Sequence, residues 1–106
     1  MVSKIPLIEK HFTDIRKLCD SNGVRALYEF GSVVSGKFDS AKSDLDFYVE
    51  MKNQSNALIQ GEHILSLWDG LEKAFNKPVD LLTSDSIHNP ILRAEIELKK
   101  VLVYEA

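Results

Sequence analysis

A single cysteine, Cys19, stands in a sequence otherwise free of thiols. No disulfide can form within the chain, and a reducing compartment, the cytoplasm, is the expected setting. No apolar stretch approaches the roughly 20 residues of a membrane-spanning helix. Met1 is followed by Val-Ser-Lys-Ile-Pro, which has no apolar leader core, so no membrane role is expected. Positive charge is also scarce: 13 Lys and Arg stand against 16 Asp and Glu, for a formal net charge of −3. Proteins that coat nucleic acid need clustered positive charge, so stable binding of RNA or DNA by the chain alone is not expected. A single nucleotide stays possible, because metal ions can supply the missing charge. Internal repeats and low-complexity tracts are missing. So are the His/Cys spacings of a zinc site and any recognisable Ser-His-Asp set.

What is present fits one domain spanning residues 1–106. The chain has 44% hydrophobic and 27% charged residues, an ordinary globular balance, and its length can bury a core without disulfides. Ile8, Phe12, Ile15 and Cys19 recur at helical spacing, which predicts a helix from about Ile5 to Asn22, with Asn22-Gly23 as its stop. Cys19 reads as a small buried apolar residue. Val24 to Phe30 predicts a strand broken by Gly31-Ser32. Residues 43–51 alternate: Leu45, Phe47, Val49 and Met51 take one face; Asp44, Asp46, Tyr48 and Glu50 take the other. A long helix is expected from about Ala57 to Asn76, with Ile64, Trp68, Leu71 and Phe75 inward. Val79 to Leu82 predicts a strand, Asn89-Pro90 a helix start, and Val101 to Tyr104 a last strand. Interleaved helices and strands imply an α/β (α+β) domain, a small mixed sheet with helices packed on one face. His11 and His63 read as surface residues and His88 as a loop residue. Arg93 is expected to pair with Glu95, Glu97 or a partner chain.

Asp44 and Asp46, two apart on a strand, send both carboxylates to the same side. Two such charges about 4 Å apart repel by ~4 kcal/mol at an effective dielectric near 20. A hard divalent cation offsets that, since Mg²⁺ prefers oxygen ligands and takes one or two carboxylates plus substrate phosphate. Asp80, between Val79 and Leu81, lies on the polar side of another short strand. If the two strands are neighbours, three carboxylates converge, enough to hold two metal ions about 3.5–4 Å apart for in-line phosphoryl displacement. Gly31 lets the backbone approach a phosphate, and Ser32 adds a donor. Alone, each piece is ordinary: an Asp-x-Asp on a wet strand, a Gly-Ser turn, a surface Asp. Their order along the chain is what gives them meaning.

Gly31-Ser32-Val33-Val34-Ser35-Gly36, followed by Ser43-Asp44-Leu45-Asp46-Phe47-Tyr48-Val49, resembles the signature of the polymerase-β-like nucleotidyltransferase superfamily. Val79-Asp80-Leu81-Leu82 looks like its third-carboxylate strand. The stretch from Asn89-Pro90-Ile91-Leu92-Arg93 through Val103-Tyr104-Glu105 is similar to the end of the minimal nucleotidyltransferase (MNT) group. The resemblance spans roughly Ala26 to Glu105. It implies that Asp44, Asp46 and Asp80 hold two Mg²⁺ ions, with Mn²⁺ as a substitute, and that Gly31, Ser32, Lys42 and Ser43 contact an NTP. One departure is Ser35, where many members carry arginine; Lys37 or Lys42 are the nearby cations.

The MNT group is typically paired with a HEPN protein in a toxin–antitoxin arrangement. The resemblance therefore implies an MntA-type antitoxin that moves AMP from ATP to a hydroxyl of its HEPN partner. Two alternatives stand beside it: a non-catalytic antitoxin that keeps the fold and works by occlusion, and a small-molecule nucleotidyltransferase. Ser35 favours the first of these. The absence of any evident substrate-binding domain disfavours the second.

Overall fold

The computed structural model describes residues 6–30, 45–52 and 56–106. Two short helices open it, α1 (Pro6–Lys10) and α2 (Phe12–Ser21). A single helix was expected here. At His11 the backbone leaves helical values, with φ −106° and ψ 13°. Its ring meets Phe75 at 4.6 Å between centroids, so His11 is half-buried rather than a plain surface residue. Ile8, Ile15 and Cys19 are buried as their spacing predicted. Gly23 follows at φ +67°, a backbone state that glycine adopts without strain.

Four strands form one sheet: β1 (Val24–Phe30), β2 (Leu45–Met51), β3 (Val79–Thr83) and β4 (Val101–Glu105), in the order β3-β2-β1-β4. β1 runs antiparallel to both β2 and β4. β2 and β3 are parallel. A parallel pair needs a long crossover, and α3 (Ala57–Phe75) provides it. The Asn56 side chain caps α3 by accepting from the N–H groups of Leu58 and Ile59 at 3.0 and 3.2 Å. Asn76 ends it in the left-handed conformation, φ +54°.

The main core lies between one sheet face and α1–α3. Leu27, Leu45, Phe47, Val49 and Val103 meet Ile8, Ile15, Cys19, Leu67 and Leu71, all essentially without solvent exposure. Burial drives the Cys19 thiol up to about 12, which keeps it protonated and unreactive. After a 3-10 turn (Ser84–Ser86), α4 (Pro90–Lys99) goes to the opposite face. There Ile96 packs with Tyr48 and Ile87 beside Tyr28, Phe30 and Leu82. Asn89 caps α4 through the N–H groups of Ile91 and Leu92, with Pro90 in the first turn.

Candidate active site

Three features fix the second sheet face. Strand alternation puts Leu45, Phe47 and Val49 into the main core, so Asp46 and Tyr48 project the other way. The same logic on β3 buries Val79 and Leu81 and turns Asp80 and Leu82 outward. Register does the rest: Asp46 pairs directly with Asp80, and Phe30 of β1 pairs with Asp46 on its other side. Neighbouring strands lie about 4.8 Å apart. The two carboxylates, one half-buried and one exposed, therefore rise side by side from adjacent strands, with Phe30 flanking them.

The start of β3 is held firmly. The Trp68 indole N–H donates to the Val79 carbonyl at 2.6 Å, and the Glu72 carboxylate accepts the Val79 N–H at 3.0 Å. Two side chains of α3, one turn apart, thus clamp the residue just before Asp80. Such bonds hold the strand in register, and the register is what brings Asp80 to Asp46.

Of the residues singled out in the sequence, Asp46 and Asp80 are brought together. Asp44, Gly31, Ser32, Ser35, Lys37, Lys42 and Ser43 lie outside the described residues. Among the described residues no group of three His, Cys, Asp or Glu side chains converges. The donor set that is present suits a hard divalent ion: two carboxylates on rigid strands, facing the same way, in contact with water. The other predicted side chains settle elsewhere. His63 Nδ1 lies 3.1 Å from Asn22 Oδ1, on the helical side of the sheet and partly buried; His88 is an exposed loop residue. Arg93 pairs with main-chain carbonyls rather than with Glu95 or Glu97, donating to Ser84 O and Ile87 O at 2.7 and 2.8 Å.

One residue near the site was not singled out from the sequence. Glu29 is completely buried on the core face, one position before Phe30 and opposite Phe47. Neither carboxyl oxygen has a hydrogen-bond partner. Burial pushes its carboxyl up to about 9, and the Asp46 charge adds to this; the main-chain N–H groups of Asp46 and Phe30 favour the ionised form from positions that make no hydrogen bond. The signal was there in the alternation, because Glu29 shares parity with the apolar Leu27.

Comparison with known proteins bears on the family and the fold. Residues 13–106 match the family described as polymerase beta, nucleotidyltransferase. A protein of Methanocaldococcus jannaschii named as a protein adenylyltransferase, MJ1379, is 38% identical over 80 residues, covering 76% of this chain and 77% of that protein. By TM-score, the fold is similar to that of a minimal nucleotidyltransferase of known structure. That nucleotidyltransferase gives 0.67 at 22% identity, covering 93% of this chain and 95% of the other. A toxin–antitoxin structure with AMP-PNP gives 0.64 at 22% identity, covering 90% and 73%. A complex of a tri-AMPylated Shewanella oneidensis HEPN toxin with its MNT antitoxin gives 0.59 at 19% identity, covering 93% and 73%. With a family match over most of its length and paired carboxylates on the sheet face, this chain belongs to the polymerase beta nucleotidyltransferase family.

Proposed function

We propose that the chain is a Mg²⁺-dependent protein adenylyltransferase that moves AMP from ATP to a hydroxyl of a HEPN-type partner, as the antitoxin of a toxin–antitoxin pair. The observation that carries this reading is the direct register of Asp46 against Asp80 on the exposed sheet face. Two carboxylates on adjacent strands repel each other, and a cation shared with a triphosphate would offset that repulsion. The relatives add the acceptor class: one is named a protein adenylyltransferase, and one solved complex holds an AMPylated HEPN toxin.

In this reading Asp44, Asp46 and Asp80 would hold two Mg²⁺ ions, and Gly31, Ser32, Lys42 and Ser43 would contact the triphosphate. The metal would supply charge neutralisation at the phosphates and a lowered pKa at the acceptor hydroxyl. The acceptor oxygen attacks the α-phosphorus, a new oxygen–phosphorus bond forms, and the α–β anhydride bond breaks. Pyrophosphate leaves and the hydroxyl proton passes to solvent. The clamp of Trp68 and Glu72 on Val79 holds Asp80 in place during this exchange.

Incubation with labelled ATP, Mg²⁺ and the HEPN partner tests the reading. Label should appear on the partner as an added adenylyl group by mass spectrometry, and should disappear in Asp46→Asn and Asp80→Asn. Full toxin neutralisation by the double variant, with no modification in the wild-type pair, would replace this reading with occlusion, the reading that Ser35 favours.

A further inference from the structure

Helix α4 carries polar anchors toward the sheet and apolar side chains toward water. Only Ile96 is buried among its residues. Beside it, Arg93 is tied to the carbonyls of Ser84 and Ile87. Lys100, just past the helix, lies 4.2 Å from the Tyr28 ring centroid and 3.0 Å from the Glu97 carboxylate. Yet Ile91 is 73% exposed, Leu98 85% and Leu92 41%. At about 100° per residue, Leu98, Ile91, Glu95, Lys99 and Leu92 fall on one continuous arc of the helix. That arc ends in a cleft of about 220 Å³ lined by Phe30, Leu92, Glu95, Ile96 and Lys99. Phe30 is the register neighbour of Asp46, so one wall of the cleft stands one strand away from the carboxylate pair.

We propose that α4 and this cleft form the docking surface for the protein acceptor, the cleft taking one aromatic side chain of the segment that presents the modified hydroxyl. This rests on the reading that the acceptor is a protein. An acceptor must reach Asp46 and Asp80 from the sheet face that α4 shares. A second exposed apolar group, Leu58, Ile59 and Leu65 on α3, belongs to the helix that packs on the other face, and a partner seated there is turned away from the reaction. The cleft is smaller than the roughly 300–1,000 Å³ of small-molecule sites and suits a single anchoring side chain, the usual centre of a protein interface. Its apolar floor and its rim of Glu95 and Lys99 follow the same anatomy. The rim carries one charge of each sign, Glu95 and Lys99, with Asp46 and Asp80 on the strands beyond Phe30. The complementary segment therefore presents an aromatic residue flanked by polar groups, with its basic groups toward the carboxylates.

The test compares two sets of exposed-residue variants of the full chain, Leu92→Asp with Leu98→Asp on α4 and Leu58→Asp with Leu65→Asp on α3. For each, circular dichroism checks folding, titration calorimetry gives the affinities for the HEPN partner and for AMP-PNP with Mg²⁺, and labelled ATP gives kcat and KM for the acceptor. The α4 pair should weaken acceptor binding and raise its KM at least tenfold, leaving AMP-PNP affinity unchanged; the α3 pair should match the wild type. Unchanged acceptor affinity in the α4 pair, or a loss confined to the α3 pair, overturns the proposal. So does a fall in AMP-PNP affinity, which would make the cleft a nucleobase site. If the wild type binds the partner but transfers no label, the catalytic reading fails, and the binding data still decide the docking surface.

Discussion

The two faces of the sheet are built to opposite rules. On one, Leu45, Phe47, Val49, Leu81 and Val103 disappear under α1–α3, and chemistry is nearly absent. On the other, Asp46 meets Asp80 across two strands, Tyr28 and Tyr48 sit under a lysine, and α4 adds one buried contact. A four-stranded sheet can hold two like charges side by side because the packing on its reverse face fixes the strands. Stability is concentrated on one side and reactivity on the other, and substitutions should separate the two.

The largest expected effect is on catalysis without loss of fold. Asp46→Asn and Asp80→Asn should each lower transfer by about 10³-fold, reflecting several kcal/mol of lost transition-state stabilisation. In metal-free buffer the melting temperature of Asp80→Asn should hold or rise, since one of two facing charges is gone. A lower melting temperature would show that the carboxylates support the fold, and the division between faces would fail. Phe47→Ala, directly beneath, should do the reverse and cost about 3–5 kcal/mol of stability in denaturant titration.

Glu29 lies on the stable face yet is ionisable, so it sharpens the comparison. Its carboxyl holds a proton up to about 9 when folded, against an ordinary value of 4.5. A raised folded value means that its contribution to stability is complete below pH 4.5 and is lost as pH rises through about 9. Metal-free protein should therefore lose stability between those limits, by at most ~1.4 kcal/mol per pH unit. Glu29→Gln should flatten that slope in urea titrations at pH 5, 7 and 8.5. A slope equal to the wild type would assign the pH dependence to other groups. The smallest effect is expected at the rim: Asn89→Ala removes the cap of α4 and should cost about 1 kcal/mol, measured by thermal unfolding, with AMP-PNP affinity unchanged.

Strand positions were legible because alternation is a local property. Val24–Phe30 emerged with its observed limits, and the inward set of Leu45, Phe47 and Val49 was assigned correctly. The Asp46–Asp80 pairing was a conditional expectation, since parity shows a residue's side of a strand but not which strands are neighbours. That depended on α3 returning the chain parallel to β2. Tyr48 was assigned to the polar side; it occupies that side but is buried, because α4 covers it with Ile96. The break at His11 was not foreseen, as it goes with a ring contact to Phe75, distant in sequence; the burial of Glu29 was legible in its parity with Leu27 but masked by its charged residue type.

The placement of β4 also governs how the molecule is made. β1, residues 24–30, is central in the finished sheet, yet one of its two partners is residues 101–105. As a nascent chain leaves the ribosome, β1 can pair with β2 early, but its other edge keeps open N–H and C=O groups until the fourth strand emerges. Open strand edges recruit other chains. Until residues 101–105 pair, a strand that is central in the finished sheet is an edge strand, so the last strand serves as the cover of that edge.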